Sequence, residues 1–191
     1  ISNSYSTGAV TGSTYAGGLV GLNIVGDISN SYSTGAVTGS TDIGGLVGLN
    51  DGGSISNSYW ATDLSGQTTS TEGTGLTSTQ MLQSSNFVGW DIDTVGGGSN
   101  VWRQYNGHTT PLLAAFLTPV SVMVSNASVS YDASNQAGAA ISLATSSPNM
   151  SAVLGIGNAV NVGTYTVNGS QLYSTQQGYD LSFSGNSSAT L

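Results

Sequence analysis

The sequence predicts an all-β chain: a short parallel β-helix, or solenoid, with an aromatic-rich cap, followed by a small antiparallel β domain. Three observations predict it. They are a repeat of 27 residues, an apolar–polar alternation of period two inside each copy, and an abundance of small and hydroxyl side chains, with 28 glycines, 32 serines and 22 threonines in 191 residues. Only 5% of the residues are charged, one Lys or Arg stands against nine Asp or Glu, and the net charge is -8. That balance disfavours nucleic acid and anionic membranes as partners, because both require basic patches. With 38% apolar residues and three prolines, the chain nonetheless has enough apolar surface to fold.

The repeat is read directly. Residues 1–27 are ISNSYSTGAVTGSTYAGGLVGLNIVGD and residues 28–54 are ISNSYSTGAVTGSTDIGGLVGLNDGGS, identical over the first 14 positions and again over GGLVGLN. A third copy begins ISNSY at Ile55 and diverges at Trp60. Ile1, Asn3 and Tyr5 alternate with Ser2, Ser4 and Ser6, the period of a strand with two unlike faces. Gly8, Gly12, Gly17, Gly18 and Gly21 follow too closely for long elements and suit short strands joined by tight corners, where a positive φ is expected. If each copy is one coil, successive copies stack about 4.8 Å apart. Ile1, Ile28 and Ile55 then form one column, Tyr5, Tyr32 and Tyr59 a second, and Asn3, Asn30 and Asn57 a hydrogen-bonded amide ladder. Leu19, Val20, Leu22, Leu46, Val47 and Leu49 are expected inside.

GGLVGLN followed by ISNSYSTGAVTG resembles the GLUG repeat of large bacterial surface proteins. Such repeats occur in filamentous-haemagglutinin-like adhesins exported by two-partner secretion and in surface proteins related to bacterial immunoglobulin A peptidases. The resemblance covers roughly the first third of the chain and implies a secreted or surface-displayed shaft.

Beyond Tyr59 the repeat decays into polar turn residues, and a short helix is expected over residues 78–84. Thr77 is placed as its N-cap and Gln80 completes a capping box. Phe87, Trp90, Trp102, Tyr105, Leu112, Leu113 and Phe116 then crowd within thirty positions, which reads as a plug over the open end of the solenoid. A sugar-binding platform on Trp90, Trp102 or Tyr105 is the sharper alternative for the same residues. The order TGLTSTQM, FVGWDID, VWRQYNGHTTPLL resembles the segment after GLUG repeats in haemagglutinin-like proteins.

From Pro119 short alternating runs are expected as strands: Val120, Val122, Val124; Val129, Tyr131; Ile141, Leu143; Tyr165, Val167; Leu181, Phe183. VSYDASNQ and VGTYTVNGSQLYSTQQGYDLSF resemble the MBG or YDG modules that follow the shaft of such adhesins, while the ending SGNSSATL departs from their closing strand, which is expected frayed or truncated. These readings divide the chain into coils at 1–65, a cap or linker at 66–118 and a β module at 119–191.

Chemistry has little to work with. His108 is the sole histidine, and a serine triad with Asp91 or Asp93 lacks any G-x-S-x-G elbow. Asp27, Asp42, Asp51 and Asp63 lie at turns. Asp91, Asp93 and Gly96 match offsets 1, 3 and 6 of a calcium loop, but Val95 and Trp102 occupy offsets 5 and 12, so a mobile glycine-rich turn is the better reading. GGLVGLN and Gly155-x-Gly157 lack the remainder of a phosphate-binding loop. Sequons at Asn126, Asn149, Asn168 and Asn186 follow from composition.

The chain is therefore expected to be non-catalytic, with no catalytic, cofactor-binding or metal-ligating residue and no cofactor. Zero cysteines remove thiolate sites. The longest apolar run, residues 112–117, is about a third of the ~20 residues that span a bilayer, so no membrane insertion is expected. No leader precedes the repeat, which reads as a piece whose targeting segments lie elsewhere. The expected role is a structural and adhesive segment of a large bacterial secreted or cell-surface adhesin. Its partners would be a host or neighbouring-cell glycan or protein, with self-association through the solenoid ends. The runner-up is a non-catalytic repeat region of a surface peptidase or polysaccharide-degrading enzyme.

Overall fold

A computed structural model describes residues 1–126, 141–147, 164–166, 172–174, 176–183 and 188–190. They are mostly strands, and the chain forms two compact units, Ile1–Asp91 and Ile92–Leu191. The boundary after Asp91 separates the aromatic residues read as one plug: Phe87 and Trp90 belong to the first unit, and Trp102, Tyr105, Leu112, Leu113 and Phe116 to the second.

In the first unit, β1 (Tyr5–Ser6), β2 (Val10–Thr11), β3 (Thr14–Gly17) and β4 (Val20–Ile24) make up the first copy. They are followed by β5 (Asp27–Ser29), β6 (Tyr32–Ser33), β7 (Val37–Thr38), β8 (Thr41–Gly44) and β9 (Val47–Asp51), then by β10 (Ser54–Ser56) and β11 (Tyr59–Ala61). Every pair among them is parallel and joins residues one repeat apart. Tyr5 faces Tyr32, Tyr32 faces Tyr59, Val10 faces Val37, Leu22 faces Leu49 and Ile28 faces Ile55. The tyrosine and isoleucine columns thus form in the expected register, and the Tyr5 and Tyr32 rings stack 5.3 Å apart at 8°.

The asparagine column has a different cause from the expected ladder. Asn3, Asn30 and Asn57 have φ of 47°, 46° and 43°, the left-handed corner that Asn tolerates best after Gly. Asn30 Oδ1 is buried without a donor, so no amide ladder runs through this column. The ladder lies elsewhere: Asn23 Nδ2 donates to Asn50 Oδ1 at 2.7 Å, and Asn50 Nδ2 donates to Glu72 Oε1 at 2.9 Å. A serine ladder braces the corners. The Ser31 hydroxyl accepts from the Ser4 amide at 3.2 Å and donates to the Ser29 carbonyl at 2.8 Å, and Ser58 repeats both bonds one copy on.

Gly17, Gly18 and Gly21 serve close approach rather than positive φ, while a side chain on Gly8 would meet open space. In the two copies the residues at positive φ are Asn3, Tyr15, Val25, Asn30, Asp42 and Gly52. A Cβ on Gly17 would stand 2.7 Å from the Gly48 nitrogen and 2.8 Å from the Leu46 oxygen, and one on Gly45 would enter the Trp60 indole. Backbone and indole occupy the volume that a side chain would need.

Ile28, Leu46, Val47 and Trp60 form one buried cluster of the core, with Leu19, Val20 and Ile55 packed against it. Leu22, expected inside, is exposed, and Leu49 is half-buried. After β11 the chain makes one turn of helix, α1 (Thr62–Ser65), closed by Gly66 at φ 70°. It then runs along the second copy and bonds to it at several points. Gln67 Nε2 donates to the Val37 carbonyl at 2.8 Å, and the Gly45 amide donates to the Thr69 carbonyl at 3.1 Å. Ser70 Oγ accepts from the Val47 amide at 2.9 Å, and Thr71 Oγ1 donates to the Gly48 carbonyl at 2.5 Å. β12 (Thr74–Leu76) then pairs in parallel with β11, Thr74 facing Tyr59. The decayed repeat therefore still covers its predecessor.

The helix expected over residues 78–84 is two 3₁₀ turns, Gln80–Leu82 and Ser84–Asn86, broken by extended Gln83. So short a segment gains too little from helical bonds to propagate. Its capping box does form: the Gln80 amide donates to Thr77 Oγ1 at 3.2 Å and the Thr77 amide to Gln80 Oε1 at 2.8 Å.

The second unit begins with β13 (Ile92–Asp93), β14 (Trp102–Arg103) and β15 (Leu112–Leu113), a small mixed sheet that sequence reading placed in the cap. β16 (Thr118–Asn126) is central in another sheet, antiparallel to β17 (Ile141–Thr145) and parallel to β19 (Tyr179–Phe183). β18 (Thr164–Thr166) pairs antiparallel with β20 (Ser188–Thr190). Two expectations are corrected. The module is mixed rather than antiparallel, because β19 returns beside β16 in the same direction and buries Leu181 with Val120 and Val122. The closing residues, expected frayed, supply β20. The strand expected at Val129 and Tyr131 lies outside the described residues.

Candidate functional site

Of the acids weighed for chemistry, Asp27 accepts from the Ser54 hydroxyl at 2.7 Å and Asp63 from the Ser78 amide at 2.7 Å, and the residues weighed for a triad fall in different units. Asp91 ends the first unit, whereas Asp93 and His108 belong to the second. Asp93 Oδ2 accepts from the Asn100 amide at 3.2 Å, closing the glycine-rich turn on itself. That turn is seated rather than loose: a Cβ on Gly96 would overlap the Leu181 carbonyl, and the Gly97 amide donates to Asp180 Oδ2 at 2.8 Å. The His108 ring stacks on Tyr173 at 3.6 Å and 6°, beside a cleft of about 240 Å³ lined by Thr109, Ser174 and Gln177. Among the described residues no three of His, Cys, Asp and Glu gather as metal ligands.

Arg103, the single Lys or Arg of the chain, is fully buried. Its Nε donates to Asp180 Oδ1 at 2.9 Å, its Nη1 to the Gln104 carbonyl at 2.6 Å, and its guanidinium lies 4.0 Å over the Tyr105 ring. Burying a cation is tolerated only with such partners. The Tyr105 hydroxyl donates to the Tyr179 carbonyl at 2.7 Å and accepts from the Leu181 amide at 3.0 Å. Burial pushes the Tyr105 phenol above its ordinary pKa, partly offset by the Leu181 amide and by Arg103. This cluster pins β14 to β19 and leaves no cation for a ligand. Sequence reading counted the lone basic residue but had no signal for its burial.

Of the proposed platform residues, Trp102 and Tyr105 are buried, which removes them from contact with any sugar. Trp90 is half-buried, and its Nε1 donates to the Asn57 carbonyl at 2.7 Å. It belongs to an aromatic cluster on the tyrosine column, 5.0 Å from Phe87, 5.9 Å from Tyr59 and 6.2 Å from Tyr32. Tyr5 extends the same column with an exposed ring. Sequence reading missed this use of Tyr5, although the column itself was legible. In the second unit, exposed Phe116 borders a groove of about 530 Å³ that also includes Asn100, Val101 and Leu113. Both surfaces offer apolar ring faces beside amide groups, which suits weak contact with a sugar ring or a peptide. Of the sequons, Asn126 ends β16, while Asn149, Asn168 and Asn186 lie outside the described residues.

Among the described residues no helix is long and apolar enough to cross a membrane. No curated protein and no solved structure matches the chain. Residues 12–38 and 39–59 match the GLUG motif, and their starts lie one repeat apart. The chain therefore carries GLUG repeats, over a minority of its length.

Proposed function

We propose that this chain is a non-catalytic structural and adhesive segment of a bacterial secreted or surface-displayed adhesin, of the filamentous-haemagglutinin-like kind, with an MBG- or YDG-like module after the repeats. In this reading the stacked copies are coils of a short parallel β-solenoid, a stiff shaft with few charges. The observation that carries it is the pairing of Tyr5 with Tyr32 and of Tyr32 with Tyr59 one whole repeat apart, which builds columns of like side chains rather than a pocket. The partner is a host or neighbouring-cell glycan or protein, met at the exposed rings of Tyr5 and Phe116 and the half-buried ring of Trp90. Each contact is weak, and many copies on one surface make the attachment firm.

The test is retention of cells on beads densely coated with the purified chain. The expected result is retention that falls on Trp90→Ala or Phe116→Ala and on dilution of the coating, with no hydrolysis of glycan or peptide substrates. Hydrolysis that disappears on changing one carboxylate would sink the reading, as would retention indifferent to both aromatic variants.

A further inference from the structure

Of the asparagines, only Asn106 and Asn168 are followed by glycine, and Asn168 lies outside the described residues. Elsewhere the amide after an asparagine belongs to a residue with a side chain, and several such amides are held. Ser4 donates to Ser31 Oγ at 3.2 Å, Ser31 to Ser58 Oγ at 3.3 Å and Phe87 to the Ser84 carbonyl at 3.1 Å.

The amide after Asn106 is placed otherwise. Asn106 and Gly107 are the central residues of a turn in which the Tyr105 carbonyl accepts from the His108 amide at 2.8 Å and from the Thr109 amide at 3.0 Å. Gly107 has φ of 82°, a backbone that a residue with a Cβ adopts reluctantly. Both central residues are exposed, and no hydrogen bond among the described residues uses the Gly107 amide. An unhindered, unengaged nitrogen therefore follows an exposed carboxamide, the pairing that makes asparagine a labile residue.

We propose that Asn106 is a site of spontaneous succinimide formation, and that its conversion reshapes the His108–Tyr173 face. The Gly107 nitrogen bonds to Asn106 Cγ, the carboxamide nitrogen leaves as ammonia with the amide proton, and a cyclic imide closes. Water then opens one of the two carbonyl–nitrogen bonds of the ring. One opening leaves aspartate; the other leaves isoaspartate, whose backbone runs through the side-chain carboxyl and is longer by a methylene. Either product adds a negative charge beside His108. The turn is braced where this happens: Gln104 Nε2 donates to the Thr109 carbonyl at 2.9 Å, the Tyr105 amide donates to Thr109 Oγ1 at 3.1 Å, and the His108 ring stacks on Tyr173. A methylene inserted between Tyr105 and His108 moves the imidazole off Tyr173, so the cleft beside the pair changes as the chain ages. This inference does not depend on the adhesive reading.

Incubating the folded 191-residue chain for days in warm, mildly alkaline buffer tests it, with peptide mapping, enzymatic methylation of isoaspartate and NMR spectra of the rings. The expected result is amide-to-acid exchange at Asn106, isoaspartate among the products, and shifted His108 and Tyr173 ring signals. Gly107→Ala slows the conversion by about tenfold, since a Cβ crowds the attacking nitrogen and narrows its backbone freedom. Asn106→Gln, which can close only a larger ring, abolishes it and keeps the ring signals fixed. Asn106 intact in the folded chain after a denatured sample has converted there would overturn the proposal, because the fold would then hold the nitrogen away. Conversion at an unchanged rate in Gly107→Ala, or conversion with unmoved His108 and Tyr173 signals, would overturn it as well.

Discussion

The first and second copies of the repeat differ at only five of 27 positions, yet they are buried very differently. Ile28 is 1% exposed where Ile1 is 58%, and Tyr32 is 1% exposed where Tyr5 is 40%. The side chains are the same, so the difference comes from position: the second copy lies between two neighbours and the first has one. Burial in a stack is a property of the place, and the energy of each residue should follow it. Two of the five differences fall at corners of positive φ, where the second copy has Asp42 and Gly52 and the first has Tyr15 and Val25.

The largest expected contrast is between Tyr32→Ala and Tyr5→Ala. Tyr32 is enclosed by Tyr5, Phe87 and Trp90, so truncation costs roughly 3–5 kcal/mol. Tyr5→Ala costs well under half as much, read as two midpoints in denaturant unfolding. Equal losses would break the comparison.

Next are the serines. Ser31→Ala removes a buried acceptor for the Ser4 amide and a donor to the Ser29 carbonyl, a loss of about 1–3 kcal/mol. Ser4→Ala removes only a solvent-facing bond to the Ser2 carbonyl and costs about 0.5 kcal/mol or less. Thermal unfolding of the two variants side by side checks this.

Val25 and Gly52 give a test of opposite sign. Val25 holds φ of 57° with a β-branched side chain, and Gly52 holds φ of 77° without one. Val25→Gly should stabilise by about 1 kcal/mol and Gly52→Val destabilise by about 1–2 kcal/mol. A loss in both would show that the Val25 side chain contributes more than its backbone costs.

The smallest effect is the pH response of the column's last tyrosine. Burial raises the Tyr59 phenol above its ordinary value, partly countered by the Val88 amide bonded to its oxygen at 3.0 Å. The folded state thus favours the neutral phenol. The stability this confers is complete below the ordinary value of about 10 and is lost as pH rises through the elevated one. Tyr59→Phe should flatten that alkaline decline in a pH series of melting curves.

The stack was legible because a fixed period forces like residues into register once backbones pair, and GGLVGLN and ISNSY carried that period without ambiguity. Residue roles inside each copy were less legible. Asn3 reads equally well as a ladder or as a left-handed corner, and only φ distinguishes them. Gly17 and Gly45 read as turns until the neighbouring backbone and the Trp60 indole are in place. Little of the candidate contact surface was legible either: Trp102, Tyr105 and Trp90 are alike as letters, and two of the three are buried.

By itself the sequence determined the all-β class, the parallel register of the copies, the capping box at Thr77 and the scarcity of charge, because each depends on local spacing or on composition. The tertiary structure alone decided that β19 runs parallel to β16 and that Arg103 is enclosed with Asp180. Those outcomes depend on contacts between residues far apart in the chain, whose energies no local pattern encodes.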